Sequence, residues 1–362
     1  MLDTAAARAA RQEIVTASVA GLDQPAFLRR VASSLQDAVP CDAIGLTVTD
    51  PETLLSTGGL AVNMPDEAML RYYDNELLQP DVNEFTELLQ SKRAAGLLSV
   101  ATAGDPQRSQ RYRTMLAPFG HENELRFVAT ADGACWSAGC LVRDGARDDF
   151  TDAEVAFVTS LGRHVAHGLR SAPAPAAQQQ TQVSDAPGMI VLDDDLRIVS
   201  ATPEARAWLE LLNGRWHGTY DGLPTVVRTV AVRARACVRG GAVAPPRARF
   251  RSPAGGWVVV HASMLTGGPS RQWAVVIEQA RPGEVVPIIA QAHDLTPREQ
   301  EVFGMLLRGT PDKEIARRLV VSDHTARDHT RRVLAKLGAK SRAELAWQVF
   351  AEHCDPWFAA LN

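Results

Sequence analysis

The chain has 362 residues, of which 46% are hydrophobic and 22% charged, and its formal net charge is −4. This composition is typical of a globular protein of two or three domains, and no stretch approaches the ~20 consecutive apolar residues of a membrane helix. We therefore expect a cytoplasmic protein without a membrane segment, a signal peptide or a disulfide framework, since the five cysteines are scattered and lack paired spacing.

The charge is unevenly distributed along the chain. Residues 1–183 hold 15 Lys/Arg against 23 Asp/Glu, which gives a net charge of −8. Residues 308–342 hold ten Lys/Arg against four Asp/Glu, which gives a net charge of +6. Because the attraction between a cation and a phosphate fades within a Debye length of ~8 Å, the local charge decides which partners bind. The C-terminal segment is therefore the candidate for nucleic-acid contact.

The N-terminal part of the sequence predicts helices at both ends of a sheet-forming region. Apolar residues recur at helical spacing over 25–39, and the segments 43–48 and 136–142 have the composition of buried strands. Residues 149–170 predict a long amphipathic helix that begins with a capping box. These elements indicate an α/β sensor-like domain over residues 1–170.

Two breaks delimit a middle region. Residues 171–187 are rich in Ala, Pro and Gln and predict an exposed linker, and residues 281–287 contain two prolines and a glycine. Between them, 188–212 predicts strand, turn, strand and helix, and 248–265 and 271–280 predict two further strands. The middle region is therefore expected to form a second α/β domain.

The C-terminal segment predicts four consecutive helices from its capping residues. Thr296, with Pro297 and Glu299 after it, begins the first helix, and Gly309 ends it. The starts predicted for the other three helices are Thr310 (standing in for Pro311), Ser322 and Ser341. Gly338 ends the third helix. The result is an all-α four-helix domain over residues 290–362.

The third of these helices has two chemically different faces. Its core-facing stripe is formed by Ala326, Thr330, Val333 and Leu337. On the opposite side, Arg327, Asp328 and Arg331 project with His324. The major groove of DNA admits one helix, whose hydrogen-bonding side chains can read the base edges. A short turn joins this helix to the preceding one, so the pair has the form of a helix-turn-helix.

The segment 295–350 resembles the DNA-binding domain of the LuxR/FixJ family. The matching residues are Leu295, Thr296, Arg298, Glu299, Val302, Gly309, Lys313, Glu314, Ile315, Ala316, Leu319, Ser322, Thr325, His329, Lys336, Leu337, Ser341, Arg342 and Glu344. The sequence departs from the family's pattern at Pro311, Ala326 and Phe303, none of which removes the DNA-binding chemistry.

This resemblance implies roles for individual side chains on DNA. Arg327, Asp328 and Arg331 are expected to face the bases, where arginine can hold guanine and aspartate can accept from cytosine. The alternative for Asp328 is an ion pair with a neighbouring arginine. The expected phosphate contacts, which fix position without reading sequence, are Lys313, Thr325, His329, Arg332 and Lys336.

The two upstream regions resemble known sensor domains. Residues 22–170 are similar to a GAF domain in the stretches FLRRVASSLQDAVPCDAIGL, YYDNELLQPDVNEFTELL and ACWSAGCLVRDGARDDFTDAEVAFVTSLGRHV. Residues 188–282 resemble a PAS domain. GAF domains often enclose a small ligand, and the candidate pocket residues are Tyr73, Tyr112, Phe119, Phe127 and Trp136. The alternative is that these aromatic residues only pack the core.

The whole chain is thus expected to be an α+β multidomain transcription regulator. Its expected partners are double-stranded DNA carrying an inverted repeat, a second copy of the chain, a small molecule and, for an activator, RNA polymerase. No metal or cofactor is expected. In the alternative hypothesis, the GAF-like and PAS-like domains serve only as a dimerisation scaffold. An enzyme using Asp193, His121, His164 or His261 is disfavoured because no catalytic motif accompanies them, and a response regulator is disfavoured because no receiver domain is found.

Overall fold

The computed structural model describes residues 2–91, 93–173, 186–212, 222–240, 244–252, 256–268 and 270–353. The chain divides into two compact units. The first unit is formed by Met1–Ala254 and Val259–Glu278, and the second by Gly255–Val258 and Gln279–Asn362. Within the described ranges, no helix is long and apolar enough to cross a membrane.

A five-stranded antiparallel sheet organises the N-terminal part of the first unit. Its strand order is β2-β1-β5-β4-β3. The strands are β1 (Ala43–Thr49), β2 (Ser56–Val62), β3 (Ala95–Leu97), β4 (His121–Ala131) and β5 (Ala134–Asp144). β4 and β5 form a hairpin turned by Asp132 and Gly133, which both have positive φ. The predicted strands 43–48 and 136–142 are confirmed as β1 and part of β5.

Three helices pack against one another, and the second and third of them also pack against this sheet. They are α1 (Ala5–Val19), α2 (Gln24–Ala38) and α6 (Asp152–Ser171). The contacts are made by fully buried apolar side chains such as Ile14, Phe27 and Phe157. The predicted capping box of α6 is present, because Thr151 Oγ1 accepts from Glu154 N while Thr151 N donates to the Glu154 carboxylate at 2.8 Å. α1 was not predicted from the sequence.

The region between β2 and β4 contributes short helical elements. They are α3 (Asp66–Leu78), α4 (Phe85–Gln90), α5 (Leu98–Ala101), a π-helical turn (Tyr112–Leu116) and 3-10 turns at Pro106–Arg108 and Ala117–Phe119. No regular element was predicted between residues 48 and 136, where the structure has β2, β3, β4 and these helices.

A second five-stranded sheet follows the linker, whose residues 174–185 lie outside the described ranges. Its strands are β6 (Gly188–Leu192), β7 (Ile198–Ala201), β8 (Arg247–Arg251), β9 (Trp257–Leu265) and β10 (Gln272–Gln279), in the order β7-β6-β10-β9-β8. This repeats the relative strand order of the first sheet. The predicted strand, turn, strand and helix over 188–212 are confirmed, with α7 (Pro203–Leu212) as the helix. The single strand expected over 248–265 is instead two strands, β8 and β9.

One helix joins the two sheets within the first unit. α8 (Thr225–Val238) packs against α3 and β2, and Thr229 Oγ1 donates a hydrogen bond to Ser56 O at 2.8 Å. Beside it, Arg249 on β8 forms a two-pronged ion pair with Asp50, the residue after β1. The Nε–Oδ2 distance is 2.9 Å and the Nη2–Oδ1 distance is 2.8 Å. The middle region is therefore docked on the first sheet rather than held apart from it.

The second unit is mainly helical. Its helices are α9 (Pro282–Ala292), α10 (Pro297–Leu307), α11 (Asp312–Leu319), α12 (Asp323–Lys336) and α13 (Arg342–His353). The segment 281–287, predicted as a break, contains the start of α9: Pro282 occupies its first turn and Glu284 Oε2 accepts from Arg281 N at 2.9 Å. The C-terminal part of the second unit begins just before it, at Gln279.

The capping predictions for this unit are mostly confirmed. The capping box of Thr296 and Glu299 and the cap of α12 by Ser322 are present. Thr310 does not cap α11. The helix begins one residue later than expected, after Pro311, so that its start has no side-chain cap, and Thr310 is buried.

Candidate DNA interface and ligand cavity

The candidate DNA interface is built from α11, a short turn and α12. α11 ends at Val320, which has left-handed backbone angles (φ 54°, ψ 50°) and a side chain that is 90% exposed. Ser322 then begins α12, its Oγ accepting from Thr325 N at 3.1 Å. Ala326, Thr330 and Val333 are buried beneath α12, as the sequence pattern predicted, and Leu337 is half-buried at its end. The opposite side of α12 is left for solvent or a partner.

The three predicted base-reading residues lie together on that outer side. Arg327 is exposed, and its guanidinium makes no hydrogen bond or ion pair with any residue that the structure describes. Asp328 is half-buried and lies 3.3 Å from Arg331 Nη1 and 3.3 Å from His324 Nδ1. The ion pair considered for Asp328 from the sequence is thus present, and it holds Arg331 in a defined direction along the helix.

The five predicted phosphate contacts are in more varied surroundings. Lys313 and Arg332 are exposed, and Thr325 is half-buried with its Oγ1 2.9 Å from Ser322 Oγ. His329 is half-buried, and its Nδ1 is enclosed without a hydrogen-bond partner in the described structure. Lys336 is engaged in the fold. Its Nζ donates to Glu299 Oε2 at 2.7 Å and to Asp294 O at 2.6 Å.

A polar cluster that the sequence did not reveal fixes α12 relative to its neighbours. Thr330 Oγ1 donates to Asp312 Oδ1 at 3.1 Å, and Arg342 donates to the same carboxylate and to Thr310 O at 2.8 Å. The cluster links α11, α12 and α13. The sequence indicated Arg342 only as a match to the family's pattern and Thr330 only as a core-facing residue. Their shared partner Asp312 could not be predicted, because hydrogen bonds between helices leave no periodic signal in the sequence.

The first unit contains a partly open cavity beside the first sheet. The volume of this cavity, including the solvent-filled opening, is about 650 Å³. Apolar and aromatic side chains dominate its wall, with His121 and Glu124 among the polar groups. The lining residues include Leu60, Met64, Met69, Tyr72, Tyr73, Met115, Leu116, His121, Glu124, Cys140 and Val142. The site has the character of small-molecule pockets, which are mostly apolar with few polar groups.

Only one of the five aromatic residues predicted for a pocket lines this cavity. Tyr73 is on its wall, and Tyr112 lies in the adjoining core with Leu116 and Cys140. Phe127 and Trp136 are buried in β4 and β5, and Phe119 is half-buried in the 3-10 turn. These three side chains do not line the cavity, part of whose wall is formed by α3 and the π-helical turn. The sequence showed where aromatic residues were abundant, but not which face of a strand each one occupies.

Two polar groups of the cavity wall have distinctive electrostatics. Burial lowers the pKa of His121, although Asp42 and Asp144 oppose this effect, and its Nδ1 has no hydrogen-bond partner in the described part of the chain. Burial also raises the pKa of the Tyr72 hydroxyl well above its ordinary value. Both groups are therefore neutral near pH 7 and available as hydrogen-bonding partners within an apolar enclosure.

Comparison with known proteins identifies the C-terminal domain. Residues 293–349 match the family described as bacterial regulatory proteins, luxR family. The nitrate/nitrite response regulator NarL of Escherichia coli is 40% identical over 60 residues, which are 17% of this chain and 28% of NarL. The spore germination protein GerE of Bacillus subtilis is 44% identical over 50 residues, which are 14% of this chain and 68% of GerE.

The likeness upstream of this domain is weak. The ligand-binding domain (LBD) of VqsR from Pseudomonas aeruginosa aligns with 45% of this chain and 98% of its own, with 20% identity and a TM-score of 0.32. At that TM-score the likeness carries no argument about the N-terminal region. The C-terminal match is different in kind, because it extends over 68% of GerE at 44% identity, and the family match at residues 293–349 spans α10, α11 and α12. The chain belongs to the LuxR family of bacterial regulatory proteins.

Proposed function

We propose that this chain is a transcription regulator that binds double-stranded DNA by placing α12 in the major groove. The observation that carries the proposal is the pair of arginines on the outer face of a helix whose other face is buried. Arg327 and Arg331 are exposed, one turn apart on the same side of α12. The surrounding segment 308–342 has a net charge of +6, which supplies the attraction to phosphates.

The proposal distinguishes two kinds of contact. Arg327 and Arg331, with Asp328, are proposed to read bases, and Lys313, Thr325, His329 and Arg332 to contact phosphates. Lys336 is proposed as a phosphate contact that also holds the domain together. A guanidinium can donate two hydrogen bonds to guanine O6 and N7, and each such pair discriminates against the wrong base by about 1–3 kcal/mol.

The test is selection of a preferred sequence from random DNA, followed by titration of the full chain on that site and on random DNA. We expect Arg327→Ala to lower affinity for the preferred site by about 1–3 kcal/mol and to relax preference at one base position. The matched control is Arg317→Ala, which removes an exposed arginine of α11 that is paired with Glu314 at 2.7 Å. The control should change affinity for both DNAs alike. Equal losses on both DNAs for Arg327→Ala would refute base reading.

We further propose that the first unit senses a small, largely apolar molecule in the cavity beside the first sheet, within a GAF-like domain. Along the sequence, the proposed PAS-like region follows this sensor domain and precedes the DNA-binding domain. Support comes from the apolar wall and from Tyr72 and His121, two neutral polar groups on it. To act as a signal, the molecule must also prefer one DNA-binding state, because equal affinity for both states shifts nothing.

The ligand proposal is tested by a thermal-shift screen of small apolar metabolites on the full chain. A ligand at a hundred times its dissociation constant should stabilise the protein by about 2.7 kcal/mol. Met69→Trp should fill the cavity and abolish that shift. Stabilisation of the variant equal to that of the unmodified chain, or stabilisation with no change in DNA affinity, would leave the first unit as a scaffold.

A further inference from the structure

A second cavity lies between the first sheet and α8. Its empty space, counted out to its mouth, is about 510 Å³. Hydroxyl groups from β1, β2 and α8 form much of its wall, and α8 adds the guanidinium of Arg233. The polar residues on this wall include Thr47, Thr49, Thr229, Arg233 and Glu76. Apolar side chains still form most of this wall, but it carries more polar groups than the wall of the first cavity.

Arg233 is largely buried, and none of the described residues forms an ion pair with it. Its relative exposure is 8%, and its enclosed Nε has no hydrogen-bond partner among the described residues. Burial lowers the pKa of Arg233, yet a guanidinium stays protonated under all ordinary conditions. A cation that has been removed from water is strongly unfavourable unless a negative group compensates it.

The nearby carboxylate of Glu76 raises the pKa of Arg233, but it forms no ion pair with it. Glu76 also lines the cavity, but its Oε2 accepts from Arg126 Nη2 at 2.6 Å. Its Oε1 accepts from the main-chain N–H of Phe85 at 3.2 Å. Both oxygens are therefore committed to other partners, and the charge of Glu76 is balanced by Arg126.

Three threonine hydroxyls of the wall are oriented as acceptors. Thr47 Oγ1 donates to Ala138 O at 3.1 Å, and Thr49 Oγ1 donates to Cys135 O at 2.8 Å. Thr229 Oγ1 donates to Ser56 O at 2.8 Å. Because each hydroxyl proton is directed to a main-chain carbonyl, what remains for a cavity occupant is oxygen lone pairs. A matching occupant brings a negative charge for Arg233 and hydrogen-bond donors for the threonines.

We propose that this cavity binds a small carboxylate that also carries hydroxyl or amino groups. The carboxylate pairs with Arg233, and the hydroxyl or amino groups donate to the threonine oxygens. The site is distinct from the apolar cavity and does not depend on DNA binding. It is formed by the first sheet together with α8, so an occupant ties the middle region to the sensor sheet.

The experiment uses the full chain in a carboxylate-free buffer and measures melting temperature and heat of binding. The probes are glycolate, lactate, glycerate, glycine and alanine, with lactamide as the neutral match for lactate and inorganic phosphate as the alternative anion. We expect at least one hydroxy or amino carboxylate to bind at one site per chain and raise the melting temperature. We expect lactamide to have no effect.

Two single substitutions on α8 test whether Arg233 binds the carboxylate. Arg233→Met should weaken carboxylate binding by about tenfold or more, the effect of losing one charged hydrogen bond. The matched control is Arg228→Met, which removes another buried arginine of the same helix that does not line the cavity. It should bind the probe as the unmodified chain does.

The same variants report on folding. In the absence of any probe, Arg233→Met should melt at the same temperature as the unmodified chain or higher, because it removes an uncompensated buried charge. A marked drop in that melting temperature would show that Arg233 already has a compensating partner and would overturn the proposal. The proposal is equally overturned if no carboxylate binds, if phosphate alone binds, or if Arg233→Met binds the carboxylate as tightly as Arg228→Met.

Discussion

Lys336 is a cation that serves the fold of the C-terminal domain as well as its candidate DNA interface. Its Nζ reaches across from the end of α12 to Glu299 at 2.7 Å, and Glu299 also accepts from Thr296 N at 2.9 Å. Burial raises the pKa of Glu299, but the hydrogen bonds from Lys336 and Thr296 outweigh it and hold that pKa below its ordinary value. A loss of DNA binding in a Lys336 variant therefore has to be separated from a loss of stability.

The depressed pKa of Glu299 gives a pH-dependent prediction. A carboxyl whose pKa is lower in the folded state stabilises the fold above its ordinary pKa, and that contribution is lost as pH falls through the folded pKa. We expect Glu299→Gln to destabilise the second unit by about 1–2 kcal/mol at pH 7, and by progressively less as the pH falls below the ordinary pKa of the Glu299 carboxyl. Denaturant unfolding at several pH values measures this difference. A difference that stays constant with pH would rule out the charge as the cause.

Asp328 offers a second prediction at the scale of one side chain. Its carboxylate lies between His324 and Arg331, both at 3.3 Å. Asp328→Ala should free Arg331 and remove a negative charge from the DNA-facing side of α12. We expect tighter binding to random DNA and a lower ratio of specific to random affinity, measured by competition titration. An unchanged ratio would mean that Asp328 neither reads a base nor directs Arg331.

At the scale of secondary-structure elements, the contact between the end of β1 and β8 is the strongest candidate for a structural lock. Asp50 is 0% and Arg249 is 3% exposed, and Arg249 N also donates to Asp50 Oδ2 at 2.8 Å. Removing one partner of a buried pair leaves the other charge uncompensated, so Asp50→Asn should destabilise the first unit by about 3–5 kcal/mol. Thermal and urea unfolding of the full chain measure the loss.

The control for this prediction is Glu52→Gln. Glu52 also contacts Arg249, at 2.6 Å, but its side chain is 45% exposed, so its loss should matter much less. The double variant Asp50→Leu with Arg249→Met should recover most of the stability lost by Asp50→Asn, because it leaves no unpaired charge. Equal destabilisation by the two single variants would show that the pair is not the lock.

Elements defined by local chemistry were the predictable part of this fold. The capping boxes at Thr151 and Thr296 depend on residues three positions apart, and the buried stripe of α12 depends on helical spacing. β2 was missed because it contains Gly58 and Gly59, which are poor strand formers. A Cβ at Gly59 would lie 2.2 Å from Leu46 O, so the glycine permits the close approach of β1. Contacts of that kind cannot be recognised before the strand pairing is known.

At the scale of the whole molecule, the sequence suggested sensor and middle domains separated by a linker, whereas the structure docks the middle region on the first sheet. The pair of Asp50 and Arg249 joins residues 199 positions apart. Neither residue has a distinctive neighbourhood in the sequence, so their pairing could not be foreseen. The outer face of α12 was predictable because it belongs to a single helix, but the cavities were not, because several distant segments build their walls.

The assembly on DNA is the remaining prediction at this scale. One α12 presents three candidate reading side chains, which cover few base pairs, so we expect two copies of the chain on an inverted repeat. The half-site centres should lie about 34–36 Å apart, one helical turn of DNA. Light scattering of the complex and footprinting measure the stoichiometry and the spacing. A tight complex of one chain on a single half-site would contradict this arrangement.

Tyr72 and Tyr73 belong to the walls of both cavities of the first unit, the one beside the first sheet and the one between that sheet and α8. Their rings meet edge to face with centroids 5.1 Å apart, so neither ring can shift without disturbing the other. A molecule that displaces these two rings from within one cavity changes the volume of the other cavity. By thermodynamic reciprocity, the factor by which the first occupant alters the affinity of the second equals the factor in the other direction. If both proposed ligands bind, each changes the concentration at which the other is detected, without touching it.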